Sequence, residues 1–200
     1  MKKIISTLLC FAMLITLAAC GSSNSAQNTS NAPKPEVTGN ILVVYFSWSG
    51  HLESMAGWIA DETGGDLYRV TAKEEYPQNY NETADRAKKE QDDGVRPEIN
   101  VDLTQEQIDG YDVIFFGFPV WWYDLPMSMW TFLESYDFSG KTIIPFFSHE
   151  GSSNGANALP TVESLAKGAT VYSQSALSIR GGSVASSENE VREWVRSFEN

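Results

Sequence analysis

At 200 residues, 42% apolar and 12% aromatic, the chain is long enough for one domain with a substantial core. Its formal net charge of −12 argues against nucleic acid and against electrostatic adhesion to anionic lipid. With two cysteines, Cys10 and Cys20, and two histidines, it carries no Cys-x-x-Cys pair and no convincing zinc site, so any redox chemistry has to come from a bound cofactor.

The N-terminus does not read as part of a globule. Lys2-Lys3 is a positive start and Ile4 to Ala18 an apolar run. That run is shorter than the ~20 residues needed to span a bilayer, which makes 1–19 a signal peptide. Leu17-Ala18-Ala19-Cys20 resembles the bacterial lipobox, and the resemblance implies cleavage before Cys20 and lipidation of that cysteine. Loss of Lys2 and Lys3 would take the charge from −12 to −14, and Cys20 would remain without a disulfide partner. Gly21–Gly39 is small, polar and interrupted by two prolines, a tether that as a flexible coil spans about 25 Å. The expected organisation is signal peptide 1–19, lipidated cysteine and tether 20–39, and a domain over 40–200. It would be anchored to the cell membrane on its extracytoplasmic face.

Ile41–Phe46 is continuously apolar and rich in β-branched residues, which predicts a strand buried on both faces. Ser47-Trp48-Ser49-Gly50 breaks it, and Leu52, Met55, Ala56 and Ile59 then recur at helical spacing over about 51–63. A strand, a hydroxyl-and-glycine loop and a helix point backbone N–H groups at the loop, an arrangement that favours an anion. Simple helix capping by Ser47 or Ser49 is the alternative. Gly64-Gly65 stops the helix, and Asp66–Ala72 reads as a second strand with Leu67 and Val70 inward. Asn81–Gln91 is a solvated helix, with Glu82 and Arg86 at i, i+4. Thr104-x-x-Gln107 fits a cap in the Pro97–Asp109 connection.

Further strands are predicted at Tyr111–Phe118, Lys141–Phe147 and Val171–Ile179, and further helices at Pro126–Tyr136, about 157–166 and Ser187–Phe198. Five strands alternating with helices make a three-layer α/β domain with a parallel sheet. Its ligand site would lie beyond the strands' carboxyl ends, where 47–51, 118–125 and 148–155 emerge. Trp121-Trp122-Tyr123 cannot all face one core, so at least one should stand at the site mouth, where its flat face can stack on a flat ligand. A hydrophobic lid or a subunit interface is the alternative.

Ser47-x-Ser49-Gly50-x resembles the phosphate-binding loop of flavodoxins, [ST]-x-[ST]-G-x-T, with Leu52 where that family usually has Thr. Pro119-Val120-Trp121-Trp122 resembles the Pro-[IV]-Trp-Trp of one flavodoxin branch. Phe147-Ser148-His149-Glu150-Gly151-Ser152 resembles the same branch's third loop. The resemblance covers nearly all of 40–180 and implies a flavodoxin-like fold of strand order 2-1-3-4-5 that binds FMN. The FMN-binding set it implies is Ser47, Trp48, Ser49, Gly50, His51, Leu52, Pro119, Val120, Trp121, Trp122, Ser148, His149, Gly151 and Ser152. It implies electron transfer to a redox partner protein or a small-molecule acceptor. Two alternatives stand beside that reading: an FMN-dependent NAD(P)H:quinone-type reductase, and a flavin-free binding or scaffold lipoprotein, for which Leu52 and Glu53 are the motive. Gly151-Ser152-Ser153-Asn154-Gly155 also matches the Gly-x-Ser-x-Gly elbow of α/β hydrolases, but both histidines, His51 and His149, precede Ser153, against the hydrolase order.

Overall fold

The computed structural model describes residues 34–151, 155 and 157–198. Cys20, Ser152 and most of the tether lie outside the described residues. Pro35 is buried and Val37 packs on the core, so the folded unit reaches a few residues upstream of 40.

At the centre of the sheet, β1 (Ile41–Tyr45) leads through α1 (His51–Thr63) to β2 (Asp66–Arg69), which pairs parallel on one side of β1. The chain then makes a small antiparallel pair, β3 (Thr71–Ala72) with β4 (Ile99–Asn100), around α2 (Tyr80–Asp92). After α3 (Gln105–Asp109) it returns as β5 (Val113–Pro119) on the other side of β1. Next come α4 (Met127–Ser135), β6 (Thr142–His149), α5 (Ala158–Leu165), β7 (Thr170–Val171), β8 (Leu177–Arg180) and α6 (Glu188–Arg196). The sheet order is β2-β1-β5-β6-β7, with β8 also on β6 and every pair in this sheet parallel. Counting β7 and β8 as one interrupted strand, this is the expected 2-1-3-4-5 winding.

Period-two alternation divides the strands between two cores. Leu42, Val44, Phe46, Ile114, Phe116 and Phe118 meet α4 and α5, while Val43, Tyr45, Val113 and Phe115 meet α1 and α6. Covering both faces is what the unbroken apolar runs of β1 and β5 require. Each large side chain buried this way contributes about 1.5–3 kcal/mol.

Four expectations need correction. The single strand over 66–72 divides at Val70, whose N–H bonds the Tyr45 carbonyl at 2.8 Å before the chain turns away into β3. Leu67 is 48% exposed rather than inward, because residues three apart on a strand face opposite sides and only Val70 meets the core. Arg86 pairs with Glu90 and Glu74, not with Glu82. The strand over 171–179 is also interrupted, by a 3-10 turn at Ser173–Ser175. On β6, the Ile143 carbonyl accepts from Tyr172 N–H, so two residues on, Pro145 faces the same side without a donor, at the gap between β7 and β8. The predicted cap at Thr104 is present as a full capping box with Gln107.

Candidate functional site

The winding reverses between β1 and β5, and a cleft of about 450 Å³ opens beyond their carboxyl ends. Trp48, Ser49 and His51 line it from the first loop, Pro119 to Tyr123 from the second, and Ser148 to Glu150 from the third. The structure therefore brings the three predicted loops to one place. A fourth wall comes from α2, through Tyr80, Thr83, Ala84 and Ala87. The polar pattern of that helix predicts a solvated element, and its cleft face is a further finding.

On the first loop, Gly50 sits at φ 87 with nothing within 4 Å of where a Cβ would be. It is the N-cap of α1 and no side chain caps the helix. Ser47 Oγ instead accepts from Gly50 N–H at 3.1 Å, inside the loop. Simple capping is thus not the role of these serines, and among the described residues no side chain accepts from the first N–H groups of α1. Leu52 is 1% exposed and packs in the α1–α6 core, so only its backbone can address the loop. Arg69 belongs to none of the three loop motifs. At the end of β2 it donates to the Ser47 carbonyl at 3.0 Å and lies 3.5 Å from Glu53. Its position follows from strand order, since β2 lies beside β1 and ends level with Tyr45.

The second loop closes in a tight turn. Trp121 N–H donates to the Asp124 carbonyl at 2.7 Å, and Asp124 N–H to the Trp121 carbonyl at 3.0 Å. Trp122 and Tyr123, at φ 48 and 69, are the non-glycine residues with positive φ among the described residues. The three aromatics separate as their adjacency requires. Trp121 meets Phe46 and Tyr76 edge-on, with ring centres 5.5 and 5.0 Å away, while Trp122 and Tyr123 stay 43% and 52% exposed. Trp122 Nε1 donates to the Ala84 carbonyl at 2.8 Å, fastening the turn to α2. Tyr76, behind Trp121, donates to Glu90 at 2.6 Å, and burial pushes its phenol up. Asp124 anchors the turn by accepting from Leu125 N–H and Thr161 Oγ1, and burial raises its carboxyl against both bonds.

At the third loop, His149 Nδ1 accepts from Gly151 N–H at 2.9 Å, so this imidazole orients its own loop. Ser148 is buried and its carbonyl accepts from Val120 N–H at 2.8 Å, tying the second and third loops together. Ser153, on which the hydrolase reading depends, lies outside the described residues. Among the described residues no group of three His, Cys, Asp or Glu side chains could hold a metal.

A flavodoxin family model matches residues 40–198. The chain belongs to the flavodoxin family. Solved structures agree with that membership. One from Bacteroides uniformis, assigned to the flavoproteins, is 31% identical at a TM-score of 0.66, over 79% of this chain and 98% of that one. A second, from Bacteroides eggerthii, is 27% identical at 0.65, over 82% and 99%. A flavoprotein from Lactobacillus acidophilus, solved in complex with FMN, is 26% identical at 0.59, over 74% and 98%. Among curated proteins none matches the chain.

Proposed function

We propose that this flavodoxin-family protein binds FMN in the cleft and transfers electrons to a partner protein or a small acceptor, held at the extracytoplasmic face of a membrane by lipid on Cys20. The observation that carries the cofactor reading is one cleft with two unlike ends. One end is the uncapped start of α1 with the open Gly50; the other is a pair of exposed aromatics on a constrained turn. An anion fits the first and a flat ring the second. The FMN complex of the Lactobacillus acidophilus relative supports the same assignment.

Bound there, FMN supplies reversible electron uptake, and the protein supplies binding, orientation and electrostatics. Ser47, Ser49 and the backbone of Gly50, His51 and Leu52 would hold the phosphate. Trp48, Pro119, Val120, Trp121 and Trp122 would border the ring from one side, and Ser148, His149 and Gly151 from the other. The acidic surface disfavours further negative charge on the reduced ring and lowers its potential. The wall from α2 favours a second reading, an FMN-dependent reductase with room for a substrate beside the ring.

The anchoring rests on the lipobox-like Leu17-Ala18-Ala19-Cys20 and the polar tether after it. Lys34 Nζ donates to the Ser197 carbonyl beyond α6, and Asn40 N–H to Asp112 before β5, so residues 34–40 enter the fold at the end of the sheet opposite the cleft. Among the described residues no helix is long and apolar enough to cross a membrane.

The full chain, purified in mild detergent with FMN and desalted, should keep visible flavin absorption. A colourless protein that FMN does not titrate would remove both redox readings and leave the scaffold. If flavin is bound, turnover of NADH or NADPH with a quinone selects the reductase.

A further inference from the structure

Behind the first loop, next to the residues that line the cleft, stands a cation that the loop pattern does not contain. Arg69 stands behind the loop with one guanidinium nitrogen on the Ser47 carbonyl at 3.0 Å and another 3.5 Å from Glu53. Glu53 lies in the first turn of α1, beside the N–H groups that no side chain caps. The carboxylate is therefore placed where an anion is welcome, and the arginine holds it there. Both side chains are about half exposed, so neither charge is fixed by burial. The two charges are felt locally: after burial, Glu53 is the main influence raising the Tyr45 phenol, and Arg69 opposes it.

We propose that Arg69 is the charged member of the phosphate site and that Glu53 is its resident counter-ion, which the phosphate of a flavin mononucleotide replaces. The proposal rests on the FMN reading above and adds to it a residue outside the loop. It resolves a difficulty of charge. A chain at −12 repels a dianion at long range, and neutral donors alone would have to overcome that repulsion. A guanidinium beside the loop gives a local cation whose planar fork suits phosphate oxygens while a second nitrogen keeps the loop carbonyl in place. Glu53 then acts as a competitor. Unliganded, it neutralises Arg69 and occupies the helix start; with phosphate bound, it must turn to solvent. Selection between phosphorylated and unphosphorylated flavin becomes a property of the pair.

The test is titration of FMN and of riboflavin, which lacks the phosphate, against the full chain and three variants, followed by fluorescence quenching. Arg69→Gln should weaken FMN by roughly 10- to 100-fold, the range for loss of a charge-assisted bond, and leave riboflavin unchanged. Arg69→Lys should recover part of the loss, because it restores the charge but not the fork. Glu53→Gln should tighten FMN several-fold with riboflavin again unchanged. FMN affinity unchanged in Glu53→Gln, or FMN and riboflavin weakened equally in Arg69→Gln, would overturn the proposal. Riboflavin binding reports on folding in every variant. A parent chain that binds neither flavin would overturn the FMN reading itself, a result distinct from either of those.

Discussion

The two loops that face each other across the cleft reach positive backbone angles by opposite means. On the side proposed for the phosphate Gly50 adopts φ 87 at no steric cost, in open space, between the cleft-lining Ser49 and His51. On the aromatic side Trp122 and Tyr123 adopt φ 48 and 69 with full side chains, at about 1–3 kcal/mol each. Asn-Gly would relax the same turn. An anion site built of backbone needs glycine so that the ligand can approach the chain. A ring-facing turn needs the side chains themselves, so the strain is accepted and held by the paired Trp121–Asp124 bonds, the Asp124 anchor and the fastening to α2.

The largest effect tests how far side chains matter on the glycine side. Leu52→Thr should cost about 2–4 kcal/mol in urea unfolding, because it replaces a core side chain by a smaller one with a hydroxyl to satisfy. It should bring no gain in FMN affinity over riboflavin. A gain specific to FMN would mean that position 52 reaches the phosphate by its side chain, and the contrast between the loops would weaken.

The next effect is a mirrored pair. Gly50→Ala should lower stability by about 1 kcal/mol and Tyr123→Gly should raise it by a similar amount, since one introduces and the other removes a side chain at positive φ. Thermal melts measure both. Tyr123→Gly should at the same time weaken FMN and riboflavin equally. A stabilised variant with unchanged flavin affinity would leave the strained turn without a reason in the ring.

How much of this was legible in the sequence depended on how local the cause was. The runs of β1 and β5 and the three loop motifs are set by adjacent residues, and the structure gathers them as expected. Arg69 was missed because its partners, Ser47 and Glu53, meet it only once β2 lies beside β1. The role of α2 was missed because Thr83, Ala84 and Ala87 are small and give no apolar signal, although small residues are what a ligand-facing wall can use. The break at Val70 has a tertiary cause too, the departure of the chain into β3, whereas the exposure of Leu67 follows from strand alternation once Val70 is inward.

The smallest effect concerns the anchor of the aromatic turn. Burial raises the Asp124 carboxyl, so its contribution to stability is present below the ordinary aspartate range and is lost as pH rises through the folded value. At neutral pH the ionised group is a burden. Asp124→Asn, whose oxygen can still accept from Leu125 N–H while its NH2 donates to Thr161 Oγ1, should be at least as stable as the parent at pH 7. That advantage should fade on acidification, as read from unfolding midpoints across pH. An advantage that persists at low pH would mean that the charge is not the cause.

A second copy of the chain that approaches the margin formed by β7 and β8 finds no continuous ladder to extend. Thr170–Val171 and Leu177–Arg180 are two short pieces out of line with each other, separated by the turn opposite Pro145. The opposite margin, Asp66–Arg69, is four residues long with a charge at each end. Strand-to-strand pairing between molecules depends on long, flat, unpaired edges. A protein concentrated on a surface would meet its neighbours often, and here neither border of the sheet gives them a template for a fibre.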